Sequence, residues 1–280
     1  MRITAFAKLN LSLRVSSAGA DGYHPVRGLF QSISLADVVT VVDADRDSIV
    51  VSGGWAPEDE SNLAWQAVAA VRTVGANGGP VALTIDKAIP SAAGLGGASA
   101  DAAAALIAAG SVLRVSHDEL RTIGPRLGSD VPFAMVGGTA LVAGLGEQVA
   151  PQPALTGFAV ALVVPPLELE TARVYRAWDE LGEPRGPSVA GADVPPALRG
   201  YTPLHNDLYP AAVAVAPQIE EWRAELAERW GAPVMMTGSG SALFTLFPTE
   251  DEAAGAADDV PVGARFAAAC NPVDRGWQEE

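Results

Sequence analysis

Cysteine is all but absent. The chain of 280 residues has one, Cys270, so no disulfide can form within it. Histidine is nearly as rare: His24, His117 and His205 are the only three, and the spacing of a zinc site is missing. Long apolar runs are missing too. The opening MRITAFAKLNLSLRV alternates polar and apolar residues and carries Lys8 and Arg14, so it lacks the unbroken apolar stretch of a signal peptide. The alanine-rich window after Pro90 is interrupted by Asp101, so no membrane span is expected and the cytoplasm is the default location. Positive charge is scarce: 18 Lys and Arg stand against 33 Asp and Glu, a net charge of -15. A surface that tracks phosphates needs the opposite sign, so no nucleic-acid partner is expected. The charge itself reads as a solubility surface. An anionic ligand would then have to be met by local donors, against the global field.

What remains is enough for a core. Apolar residues make up 49% of the chain, and its length suits one large domain or two small ones. No internal repeat or long low-complexity linker appears. ITAFAKLNLSLRV, GLFQSISLADVVTVVDA and DSIVVSG read as strands. Between Asn62 and Gly75 the period becomes helical, with Ala64, Val68 and Val71 on one face. PVALTIDKAIP alternates again, with Val81, Leu83 and Ile85 on one side. Ser116 and Glu119 stand at capping-box spacing and start a helix. In SDVPFAMVGGTALVAGLGEQV, Pro132 and two glycine turns suggest short strands. Beyond Pro151 and Pro153, FAVALVVP reads as a buried strand, ETARVYRAWDEL as a helix and GEPRGPSVAGADVPPALRGYTP as a surface loop. Ile219, Trp222, Leu226 and Trp230 fall on one helix face and read as core. VMMTGSGSALFTLF is a strand broken by Gly238 and Gly240, and a helix and strand close the chain. The order is mixed α+β, with two lobes.

Chemistry concentrates in a few places. PSAAGLGGASADAAAALIAAG puts Gly94, Gly96 and Gly97 directly before a helix. Glycines let a ligand approach the main chain, and the helix start offers unpaired N–H groups and partial positive charge. Together they form an anion cradle of the kind that holds phosphate, to which Ser99 adds a hydroxyl. By itself the loop is equally a plain turn. It lacks the lysine of a P-loop, and it matches the dinucleotide fingerprint imperfectly, because Ser99 stands where the third glycine belongs. AKLNLSL places Lys8 and Asn10 on one face of a strand, costly to bury without partners and commoner on a solvated edge. In GSDVP, Asp130 is either a cap or turn residue or a carboxylate that accepts a hydroxyl proton. DGYH is a turn whose Tyr23 and His24 could stack on and bond a base, and TGSGSA is a second glycine turn.

These motifs, with Gly128-Ser129-Asp130-Val131-Pro132 and Asn206-Asp207-Leu208, occur in an order that resembles the superfamily of galactokinase, homoserine kinase, mevalonate kinase and phosphomevalonate kinase. AKLNLSL with DGYH narrows the resemblance to the 4-diphosphocytidyl-2-C-methyl-D-erythritol kinase family, over nearly the whole chain. The resemblance implies a two-lobed α+β fold with its active site in the cleft between lobes. Residues 1–153 would form the ATP-binding lobe and 154–280 the second. It implies transfer of the ATP γ-phosphate to the 2-hydroxyl of the methylerythritol unit, on the non-mevalonate route to isoprenoid precursors. Asp130 would be the catalytic base and Lys8 its charged neighbour. Pro90, Ser91, Ala92, Ala93, Gly94, Leu95, Gly96, Gly97, Ala98, Ser99 and Ala100 would wrap the ATP phosphates, with Asn62 near the adenosine. Asn10, Tyr23, His24 and Tyr175 would contact the cytidine-diphosphate substrate, Tyr175 by stacking on cytosine. Mg²⁺ would accompany ATP, riding on the phosphates because no carboxylate cluster is visible to bind it, with Ser99 and Asp101 as contacts. Neither a nucleic acid nor a membrane would be a partner, and the chain would be a monomer or homodimer. Ala92, Ala93 and Ala98 stand where many members carry glycine. Ala98 is expected to need φ below zero or to be strained.

Overall fold

Residues 1–53, 56–75 and 78–280 are described by the structure, a computed structural model. The alternating start forms β1 (Arg2–Val15), antiparallel to β2 (Val26–Asp43). The Asp21–His24 turn lies between them, with Gly22 at φ 80°. β3 (Ser48–Ser52), α1 (Leu63–Val74), β4 (Val81–Asp86), α2 (Gly97–Leu113), α3 (His117–Leu127), α4 (Val131–Val136), β5 (Thr139–Gly144) and β6 (Gln148–Pro151) follow. β2 pairs with β1, β4 and β5, and β6 extends the sheet from β5.

β1 is an interior strand, not a solvated edge. From Ala7 to Leu13 both of its faces are buried, so Lys8 and Asn10 sit inside the protein. α2 is buried without a break from Ala100 to Gly110. It packs against β1 and β2 on one side and α1 and α4 on others. Alanine fits there because each neighbour approaches closely, and its high helix propensity holds the segment together. Asp101 is the one charged residue in that run. Ser116 and Glu119 make the expected capping box, and Val81, Leu83 and Ile85 are fully buried.

The segment Val131–Val136 is a helix and not a strand. Pro132 stands in its first turn, where its missing N–H is not needed; the strands expected nearby are confined to β5 and β6.

β7 (Ala159–Val164) is buried at every position. α5 (Thr171–Glu180), β8 (Ser188–Val189), β9 (Leu204–His205), α6 (Tyr209–Val215), α7 (Gln218–Trp230), β10 (Met235–Met236), β11 (Leu243–Phe247), α8 (Glu250–Asp258) and β12 (Phe266–Cys270) follow. The second sheet runs β10-β11-β7-β12. Ile219, Leu226 and Trp230 of α7 are buried as their spacing predicts. The Pro/Gly-rich stretch before β9 is more ordered than its composition suggests: it holds β8 and two 3₁₀ turns and buries Val194 and Leu198. β13 (Trp277–Glu279) crosses back and pairs with β1, tying the end of the chain into the first sheet. The architecture is the expected two-lobed α+β fold. Among the described residues, no helix is long and apolar enough to cross a membrane.

Candidate active site

A cavity of about 950 Å³ lies between the lobes. β1, the loop before α2, the start of α4, α5 and the Gly238–Gly240 turn all contribute to its walls. Lys8 is its central cation. Its ammonium donates to Asn10 Oδ1 at 2.6 Å and to the Gly94 carbonyl at 3.0 Å, and lies 3.4 Å from Asp130 Oδ2. It also sits 5.5 Å from the Phe30 ring centroid. These partners answer the burial cost that the sequence raised. Asn10 is held in turn by Thr237, whose hydroxyl accepts from the Asn10 N–H at 3.0 Å.

Asp130 occupies the N-cap position of α4, yet its side chain makes no capping bond. The carboxylate is left facing Lys8 and is one-third exposed to the cavity. A cap would have consumed the oxygen that a base needs.

The loop explains its glycines by close approach. A Cβ on Gly94 would stand 2.3 Å from the Thr237 carbonyl oxygen, and one on Gly96 2.9 Å from Lys8 Cγ. Both take positive φ, 76° and 72°. Gly96 ends the loop as the N-cap of α2, with no side chain capping it. The first helical bond runs from the Ala100 N–H to the Gly96 carbonyl, 2.9 Å. Among the described residues, no protein group accepts from the N–H groups of Leu95, Gly96, Gly97, Ala98 or Ser99. A row of free donors at a helix start suits an anion. Ala98 is not strained; Ala92 is the alanine held at positive φ, 51°.

Beneath the loop lies a buried cluster that sequence reasoning missed, apart from Asp101. The Lys87 ammonium donates to Asp37 and to Asp101 Oδ2, the latter at 2.5 Å. Asp37 Oδ1 also accepts from the Ala88 and Ile89 N–H groups at 2.6 and 2.8 Å. Burial alone would lower the Lys87 ammonium, but the two carboxylates raise it above its ordinary value. Burial pushes the Asp101 carboxyl up to about 7 against the pull of Lys87, and the charge on Asp37 adds to the rise. Asp101 Oδ1 has no partner among the described residues. One signal was available: lysine occurs only twice in the sequence, at 8 and 87.

At the other end of the cavity stand Tyr23, His24 and Tyr175. Tyr23 is 65% exposed. His24 is wedged in place, with Nδ1 3.1 Å from the Ser16 carbonyl and Nε2 3.3 Å from Asp179 Oδ2. Its ring lies 5.1 Å from Tyr175 and edge-on to Trp178 at 5.6 Å. Burial, helped by the negative Asp130, pushes the Tyr175 phenol up to about 12, so it stays protonated. Asn62 also lines the cavity, but its side chain is engaged elsewhere. Oδ1 caps α1 by accepting from Ala64 N–H at 2.9 Å, and Nδ2 donates to the Pro57 carbonyl at 2.8 Å. Every residue to which the resemblance gives a catalytic or binding role, Ala100 excepted, thus lines one cavity; Ala100 is buried as the fourth residue of α2.

Two family models match the chain: the GHMP kinases N terminal domain over residues 62–138 and the GHMP kinases C terminal domain over 200–261. The 4-diphosphocytidyl-2-C-methyl-D-erythritol kinase of Cutibacterium acnes is 39% identical over 252 residues, covering 84% of this chain and 81% of its own length. A crystal structure of 4-(cytidine 5'-diphospho)-2C-methyl-D-erythritol kinase superposes with a TM-score of 0.77 at 32% identity, covering 97% of this chain and 99% of that one. Homoserine kinase from Cytophaga hutchinsonii superposes at 0.70 with 16% identity, covering 99% and 96%, a likeness of fold alone.

Proposed function

The chain belongs to the GHMP kinases and, within them, to the 4-diphosphocytidyl-2-C-methyl-D-erythritol kinase family, and we propose that it transfers the γ-phosphate of ATP to the 2-hydroxyl of 4-diphosphocytidyl-2-C-methyl-D-erythritol. The product feeds the non-mevalonate route to isoprenoid precursors. One observation carries the reading: Lys8 joins the Asp130 carboxylate and the glycine loop at a single point of the cavity, 3.4 Å from one and 3.0 Å from the other.

The division of work follows from chemistry. Phosphoryl transfer asks for positioning and charge stabilisation rather than covalent help. Asp130 accepts the proton of the substrate hydroxyl, whose oxygen attacks the γ-phosphorus as ADP departs. Lys8 stabilises the negative charge gathered there, and Asn10 orients it. The free N–H groups at Leu95 to Ser99 hold the phosphates. Tyr23 and Tyr175 bracket the cytosine, with His24 beside them. Asn62, with its amide engaged, would meet the adenosine by packing. Residues 1–153 would be the ATP-binding lobe and 154–280 the second lobe, with β13 lent back to the first sheet.

Mg²⁺ fits this site with few protein ligands. Among the described residues no three His, Cys, Asp or Glu side chains group to hold a metal, while the unpartnered Asp101 Oδ1 and the Ser99 hydroxyl are available at the loop. When bound, the ion would neutralise charge on the phosphates.

The test is ADP release by the purified protein with Mg-ATP and the cytidylyl substrate, beside Asp130→Asn. Substrate-dependent ADP, with kcat lowered about a thousandfold or more in the variant, is expected. Release with homoserine or mevalonate instead would overturn the substrate assignment. Full activity in the variant would overturn the base.

A further inference from the structure

We propose that Arg265 is a positioning residue for the nucleotide, acting from the second lobe through the carbonyl of Ser91. The inference rests on reading the glycine loop as a phosphate cradle.

The argument starts from the peptide unit. A trans peptide holds its C=O and the following N–H on opposite sides. A loop whose carbonyls are pulled into the protein therefore turns its N–H groups the other way, into the cavity. Four carbonyls of this loop are held in this way, those of Ser91, Ala93, Gly94 and Leu95. Leu95 O accepts from the Lys8 N–H at 2.9 Å, Gly94 O from the Lys8 ammonium at 3.0 Å and Ala93 O from the Ala242 N–H at 3.0 Å. At the start of the loop, Ser91 O accepts from Arg265 Nη2 at 2.6 Å. Here a side chain from the second lobe does the pulling. Arg265 is anchored just before β12, its own N–H donating to the Val164 carbonyl at 2.8 Å. Its Nη1 donates to Glu168 Oε1 at 2.7 Å, and its stem is mostly buried.

The grip falls on the residue before the strained one. Ala92 holds φ 51°, unfavourable for a residue with a Cβ. Released, Ala92 gains by returning to negative φ, and that rotation carries its N–H out of the cavity. Arg265 and Ala92 are thus coupled, a spring and the clasp that holds it.

The experiment compares ATP with adenosine in calorimetric titrations, and ATP with the cytidylyl substrate in kinetics. For Arg265→Met, KM for ATP should rise about tenfold while kcat and KM for the cytidylyl substrate change by less than about threefold. The advantage of ATP over adenosine should shrink by the same factor. Arg265→Lys and the exposed Glu168→Gln should give smaller shifts in the same direction, and they read the inference if Arg265→Met does not fold. Ala92→Gly placed in the Arg265→Met background should recover part of the ATP affinity, because glycine keeps positive φ without a clasp. If the variants keep the whole ATP-over-adenosine advantage, or lose both substrates equally, the inference is wrong and the cradle reading stands. If the parent protein itself binds ATP no better than adenosine, the loop holds no phosphate and both readings fall.

Discussion

Lysine is where residue choice is most informative. Sixteen of the 18 basic residues are arginine, and the two lysines both line the cavity, buried against carboxylates. Lys8 was legible because it stands beside Asn10 in a recognisable motif. Lys87 was not, because its partners come from Asp37, fifty residues away, and from Asp101, which reads as an interruption of an alanine helix. The Asp101 carboxyl, pushed up to about 7 by burial, makes a testable consequence. An unfolded aspartate titrates near about 4. Between those values the folded chain keeps a proton that the unfolded chain has lost. The stabilisation is whole below about pH 4 and is lost as pH rises through about 7. Asp101→Asn has no such proton to lose. Its stability relative to the parent should therefore improve between about pH 4 and about pH 7, read from denaturant melts of both proteins. A pH-independent difference would mean that Asp101 is ionised throughout. Tyr175 gives a second prediction. If it stacks on cytosine, Tyr175→Ala should raise KM for the cytidylyl substrate by roughly tenfold or more, within the range of one base–aromatic stack. KM for ATP should stay put and Tyr175→Phe should restore the parent value; equal effects on both substrates would refute the stacking role.

Elements were more legible than their ends. Strand alternation, the capping box and the α7 stripe are local patterns, and local patterns survive folding. α4 is hidden in the sequence because proline breaks a helix everywhere except its first turn, which is where Pro132 stands. β13 carries no signal because three residues show no period; its place is fixed by long-range pairing with Ile3 to Ala5 of β1. Glycines separate the two kinds of information. Gly28 of β2 is required by tertiary approach: a Cβ there would stand 2.1 Å from the Ser12 carbonyl oxygen. Gly255, inside α8, would meet nothing within 4 Å. Opposite signs follow. Gly28→Ala should destabilise by about 1–3 kcal/mol or more through overpacking, and Gly255→Ala should stabilise by about 0.5–1 kcal/mol through helix propensity. Urea midpoints for both variants check the pair; a stabilising Gly28→Ala would mean that β1 and β2 separate freely.

At the scale of the whole molecule, the net charge of -15 acts on every anionic substrate that approaches. The cavity does not oppose it with a field of its own. Lys8, Lys87 and Arg176 line the walls, and so do Asp130, Asp179 and Asp101, the last only partly ionised near pH 7, so little net charge is left to project outward. On the function proposed above, holding power comes instead from oriented N–H groups and the start of α2, which act over a turn or so and hardly reach beyond the mouth. Capture is then short-ranged while repulsion is long-ranged, and salt separates the two. Screening over a length of about 10 Å at about 0.1 M weakens the repulsion of distant surface carboxylates far more than contacts inside the cleft. The association rate of a fluorescent ATP analogue should therefore increase severalfold between about 20 and about 200 mM salt, with little change in its dissociation rate. A cationic groove would behave in the opposite sense. If association slows as salt is added, the local donors project a positive field past the mouth, and the acidic surface is arranged so as to leave that approach open.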